Sequence, residues 1–251
     1  MTTPPARSER SAIAALDRLL RGQLTSPEQV REGDGLSLRT FLPWAMALGA
    51  VYGFFVGWFA LTGKASQAVA HMAVVMVKLP LLFLLTLVVT FPSLYVFNAL
   101  IGCRLGFKAT LRLLVATIVV NLAIAASLGP ILGFFTLSTS SYGFMVLLNV
   151  ALMAIAGLVS VGFLIKTLSA LQFSTRMPEA PPIEPGVERP RASGSATGIF
   201  WVWILTYGIV GAQMGWILRP FIGAPNAPFE LFRPRDGSFL HGLYNAVHSM
   251  L

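Results

Sequence analysis

From residue 35 to residue 178 the chain contains no aspartate and no glutamate, a run of 144 residues. Few folds tolerate such a run, because soluble globular chains draw about 25% of their residues from the charged types. Here 11% are charged and 55% hydrophobic, with a mean hydropathy of +0.74. A membrane protein fits this balance, and specifically an all-α polytopic bundle, since helices satisfy their own backbone hydrogen bonds in hydrocarbon. The same absence excludes chemistry. Proton- and cation-coupled transporters use intramembrane carboxylates, metal centres use clustered His, Asp or Glu, and aspartyl proteases use paired acids. None of these can be assembled between residues 35 and 178.

Five apolar stretches are each long enough for the roughly 20 residues that cross a bilayer. They run about 41–61, 76–99, 109–134, 143–167 and 198–218. A further apolar piece, 66–77, either extends the second span or lies at the interface. Trp44 and Trp58 bracket the first span, and Trp201, Trp203 and Trp216 the fifth, where an aromatic belt would put them. The first 39 residues hold six Arg and five acids with no apolar core, so no cleavable signal peptide is expected there and the first span does the targeting.

The flanks set an orientation. Segments 1–40, 100–108 and 166–197 carry Arg7, Arg10, Arg18, Arg21, Arg31, Arg39, Arg104, Lys108, Lys166, Arg176, Arg189 and Arg191. The opposite side has Lys64, Arg219, Arg233 and Arg235. The basic side stays cytoplasmic, which predicts N-terminus in and C-terminus out, in a membrane of the bacterial inner type. The net charge of +8 therefore reads as topology signal rather than nucleic-acid affinity, since no basic helix with base-reading or stacking residues is present.

Outside the spans, "RSAIAALDRLLRG" (10–22) places Ile13, Leu16, Leu19 and Leu20 at helical spacing with Gly22 as C-cap, predicting an amphipathic surface helix. Thr25 and Glu28 form a capping box with Pro27 in the first turn. Residues 169–197 contain a proline-rich stretch read as a cytoplasmic linker. Residues 238–251 put Phe239, Leu243, Tyr244 and Val247 on one face, a second interfacial helix.

Within the spans, Lys78 is the one ionisable residue deep in an apolar run. It snorkels to the interface, uses the carbonyl of Met76 that Pro80 leaves without its helical donor, or meets an anion from outside the chain. Pro92 repeats the break, and two prolines in one helix predict a kink. Gly49, Gly53 and Gly57 make two overlapping GxxxG steps, and Gly211 with Gly215 another. Such faces let helix backbones approach closely, within the chain or toward a partner or second copy. Asn121 and Asn149 fall near the middles of the third and fourth spans, as interhelical hydrogen-bonding amides or as the lining of a polar path. Arg219, between Trp216 and Pro220, is placed to hold a lipid phosphate. His241 and His248 share a helix face but lack the further ligands a metal needs. No nucleophile–base constellation, phosphate loop or dinucleotide fingerprint occurs, so no catalytic residue and no cofactor are expected.

The layout of a polar N-terminal arm followed by five closely spaced spans over residues 41 to 218 resembles the Yip1-type five-span membrane family. That resemblance implies a membrane-organising or trafficking role rather than an enzyme. The sequence leads to a non-catalytic membrane scaffold or assembly subunit with the lipid bilayer and a protein partner as its contacts. A passive channel or carrier for a neutral or anionic solute, lined by Lys78, Pro80, Pro92, Asn121 and Asn149, is the alternative, and a lipid-handling protein using Arg219 and the terminal helices is a third.

Overall fold

A computed structural model describes residues 6–24, 37–62, 67–100, 107–175, 195–218, 220–222 and 239–248. Among them are α1 (Ala6–Leu20), α2 (Leu38–Trp58) with a 3-10 turn (Phe59–Thr62), α3 (Ala68–Leu100), α4 (Phe107–Ser138), α5 (Tyr142–Thr175), α6 (Ser195–Ile217) and α7 (Phe239–His248). Four segments are long and apolar enough to cross a membrane: Leu38–Thr62, Ala68–Ser93, Phe107–Ser138 and Tyr142–Thr167. The fold therefore fits a multi-pass membrane protein.

Of the stretch 66–77, residues 68–77 belong to α3. Nothing between Ala68 and Leu79 breaks a helix, so the 33-residue element runs through Lys78 and both prolines without interruption. α5 likewise continues to Thr175 and α6 begins at Ser195, so helix occupies both ends of the 169–197 segment. Only residues 139–141 separate α4 from α5, and the Ser141 hydroxyl accepts from Phe144 N at 3.3 Å, an N-cap that starts α5. At the other end of the chain Gly22, with φ of +71°, closes α1 as its sequence position implies. The Thr25–Glu28 capping box, the proline-rich stretch 176–194 and Arg219 lie outside the described residues.

The helices pack in the lateral order α5–α4–α2–α3–α6. At the α2–α3 contact the two backbones meet directly. Gly49, Gly53 and Gly57 face Pro80, Met76 and Met72, one row rising by four residues as the other falls by four. A Cβ on Gly49 would sit 2.6 Å from Pro80 Cβ, and one on Gly53 would sit 2.8 Å from Met76 Cα. The proline ring and the bare glycine are thus complementary shapes, and no side chain fits between the backbones. On its other flank α2 lays the Phe55 ring over Gly129 and Gly133 of α4. α4 carries the most buried apolar window of the four, 61%, and α5 the least, 22%.

Gly211 and Gly215 of α6 also face α3, 3.6 Å from Thr86 Cγ2 and Leu82 Cδ1 if given a Cβ. Both glycine rows thus pack on α3 and not on each other. α1 docks on α2 and α4 with Leu19 fully buried, and Trp44 Nε1 donates to Ala12 O at 3.2 Å.

Glycine substitutions separate the tight seam from open wall. Gly53→Ala must displace α3 backbone and is expected to destabilise by about 1–3 kcal/mol. Gly157→Ala on α5 meets nothing within 4 Å and is expected to be neutral or to stabilise by up to about 1 kcal/mol. Unfolding of the purified proteins by SDS titration reads both.

Candidate functional site

α3 and α6 run antiparallel and are joined by side chains that donate to backbone carbonyls. Trp203 Nε1 donates to Thr90 O at 3.2 Å, and Tyr207 Oη to Phe83 O at 3.3 Å. Lys78 Nζ donates to Leu218 O at 3.2 Å, and His71 Nε2 lies 3.1 Å from Phe221 O. Because a carbonyl only accepts, that contact places the imidazole proton on Nε2. Lys78 and His71 are one heptad apart on α3, and both are buried. Together they hold the chain as it leaves α6, on either side of Pro220.

Lys78 thus reaches an acceptor to which its sequence position does not point. Its ammonium meets the C-terminal end of α6, where unsatisfied carbonyls carry the negative end of the helix dipole. The partner lies 140 residues away in the chain. Trp203, expected at a membrane boundary, is instead 4% exposed and sits in the α3–α6 seam.

Beyond this seam lies a cavity of about 970 Å³ bounded by α3, α4, α5 and α6, with α7 across one end. That is near the top of the roughly 300–1,000 Å³ usual for small-molecule sites. The lining residues on α5 run from Tyr142 to Leu164, about 33 Å at about 1.5 Å per residue. Leu79, Leu82, Phe83 and Leu87 of α3, Leu114 and Ile118 of α4, Val146, Val150 and Met153 of α5, and Ile204 of α6 make its walls apolar. Gly157 and Gly208 leave open space on it, with nothing within 4 Å of an added Cβ. Among the described residues α5 and α6 make no extended contact with each other. α7 bridges them, with Gly242 pressed against the Trp216 ring and Phe239 and Leu243 on the cavity.

Asn121 and Asn149 both line this cavity. They do not hold each other. Asn149 Oδ1 accepts from Tyr52 Oη at 2.9 Å, a bond from α2 to α5, with Tyr52 completely buried. Asn121 Oδ1, on α4, has no hydrogen-bond partner among the described residues. The wall hydroxyls are committed to their own helices: Thr86 donates to Leu82 O at 2.7 Å, Thr117 to Leu113 O at 2.9 Å and Ser160 to Gly157 O at 2.9 Å. Lys78, Pro80 and Pro92 are not on this wall, and no described residue lining it carries a formal charge.

Tyr52 is the member of the site that sequence reasoning misses. It stands inside "GAVYGFFVG", where its phenol reads as one more aromatic on a packing face. Asn149 was visible as an intramembrane amide, but its partner was not.

No known protein family, curated protein or solved structure matches the chain, so the site is read from its own geometry and the Yip1-type layout rests on arrangement alone.

The Tyr52–Asn149 bond is open to a double-mutant cycle. Tyr52→Phe leaves the half-buried Asn149 oxygen without its donor and should cost about 1 kcal/mol in SDS unfolding. Adding Asn149→Leu should recover most of that loss, giving a non-additive pair.

Proposed function

We propose that this chain is a non-catalytic multi-pass protein that holds an apolar molecule of the bilayer between α3, α4, α5 and α6. The observation that carries this reading is the elongated, uncharged, apolar cavity beside the loosely packed α5–α6 flank. Water in such a space would find few partners, whereas an acyl or similar chain loses nothing on leaving the lipid and is guided in laterally between α5 and α6. α6 is the fifth span in this reading, so the loop between α5 and α6 is cytoplasmic, the N-terminus lies inside and the C-terminus outside, in a bacterial-type inner membrane. α7 then caps the outer end of the cavity. Arg219, next to that end in sequence, is the candidate for holding a phosphate at the rim.

The channel alternative draws less support, because Lys78, Pro80 and Pro92 lie off the cavity wall. The scaffold reading keeps one specific support in Gly162, exposed on α5 with open space around it, where a partner helix could seat.

Two measurements test the proposal. Native mass spectrometry of the full chain extracted from membranes should find a lipid-sized species retained by the wild type and lost from Gly157→Leu and Gly208→Leu. Both glycines line the cavity and an added Cβ at either meets nothing within 4 Å, so neither substitution is expected to lower thermal stability. Equal retention by all three proteins sinks the cavity as the site, and a co-purifying protein without lipid turns the reading to the scaffold. For the topology, a reporter that fluoresces only in the cytoplasm should be dark at the C-terminus and bright when inserted between residues 176 and 194.

A further inference from the structure

The Tyr52–Asn149 bond uses only one end of the Asn149 amide. Tyr52 is completely buried, and among the described residues Asn149 Oδ1 is the acceptor for its phenol proton. A buried phenol proton needs an acceptor, so the amide is held with its oxygen toward α2 and its NH2 turned away. That NH2 donates to no described residue, and it is not enclosed: the buried side-chain atoms without a partner among the described residues are Asn121 Oδ1 and Thr136 Oγ1. Asn149 is half-buried and lines the cavity. Other polar groups of the wall have given up their protons, since Thr86, Thr117, Ser160, Trp203 and Tyr207 each donate to a backbone carbonyl. Asn121 has no partner that would fix its amide in the same way. The wall therefore offers the open space a donor of fixed direction at Asn149, and its complement is an acceptor.

We infer that the cavity holds an uncharged long-chain molecule by a carbonyl oxygen that accepts a hydrogen bond from Asn149 Nδ2. This rests on the reading under Proposed function and names the class of its ligand. Position along the wall sets where the carbonyl falls. Asn149 is 7 residues on from Tyr142 and 15 short of Leu164, the two ends of the α5 lining. At about 1.5 Å per residue these are about 10 Å and about 22 Å of wall. The carbonyl thus belongs near one end of the ligand, with the long apolar part running past Met153, Gly157 and Val161. An ionised carboxylate is unsuited, since no described lining residue supplies a counter-charge and burying a lone charge is costly. A pure hydrocarbon would leave the NH2 unpaired in an apolar space. Long-chain esters and isoprenoid quinones both carry an uncharged carbonyl at one end of an apolar chain, and they share this chemistry.

The test uses the full-length protein in detergent and the variant Tyr52→Phe/Asn149→Leu, because Asn149→Leu alone would strand the buried phenol. Scintillation proximity follows the binding of tritiated methyl palmitate and tritiated octadecane, with palmitate and a menaquinone as competitors. Wild type should bind the ester about tenfold more tightly than octadecane, the worth of one hydrogen bond in a buried site, and palmitate should not compete. Stronger competition by the menaquinone than by unlabelled methyl palmitate identifies a quinone as the source of the carbonyl, and the reverse identifies an ester. The double variant should bind octadecane as wild type does and keep an ester preference within about twofold. At saturating ligand, the infrared carbonyl band of bound methyl palmitate should lie at lower frequency in wild type than in the variant, a shift that a merely structural amide does not produce. Equal binding of ester and octadecane by wild type, or palmitate competing as well as the ester, overturns the inference and leaves the cavity reading standing. A preference that survives in the variant, or a carbonyl band at the same frequency in both proteins, also overturns it. If neither methyl palmitate nor octadecane binds wild type, both readings fall.

Discussion

Hydrocarbon gives a buried polar group no water to fall back on, and the arrangement of this protein follows from how that demand is met. Trp203, Tyr207, Lys78 and His71 each need an acceptor, and each finds one on a backbone carbonyl across the α3–α6 seam. Tyr52 finds the Asn149 amide. Threonines and serines fold back on their own helices. Among the described residues only the Asn121 amide oxygen and the Thr136 hydroxyl are buried without a partner. The seam fixes α6 relative to α3, and with it one side of the cavity.

The other organising contact is steric. α2 reaches α3 closely enough that its three glycines meet proline and methionine backbone directly, and the Phe55 ring occupies the glycine notch of α4. α2 therefore acts as the spine of the bundle, with α3 and α4 fixed on either flank. α5 attaches outside α4 and α6 outside α3, and α7 touches both. An open row of five helices curls without closing, and the space it fails to close is the cavity. Dispersion contacts missing along that wall are those a ligand chain would supply.

Much of the helical layout was legible in the chain, because long apolar stretches separated by polar loops carry it residue by residue. The four apolar spans of the structure coincide with four of the stretches between residues 41 and 167. Boundaries moved where helix-compatible sequence continued past the apolar core, as at Ala68–Val77 and Leu168–Thr175. What the sequence withheld is adjacency. Nothing in "GAVYGFFVG" or "GAQMG" says that both rows meet the same helix, and nothing near Lys78 points to a carbonyl 140 residues on. The cavity was hidden for a related reason: its walls are leucines, valines and isoleucines that read like any lipid-facing surface, and only the helix order turns them inward. Asn121 and Asn149 stood out as polar, but their different fates depend on Tyr52, which sits on a third helix.

The acceptors along the α3–α6 seam are main-chain oxygens, supplied equally well by any residue that keeps the helix. Leu218 and Phe221 can therefore vary in side chain without disturbing Lys78 or His71, while a change at either donor breaks the bond from one side alone. Mutational tolerance along the seam is asymmetric. Contacts of this kind leave no paired exchange in a family of sequences, so these four bonds would be invisible to any method that infers proximity from correlated substitution, and only the glycine row of α6 against Thr86 and Leu82 would report the seam.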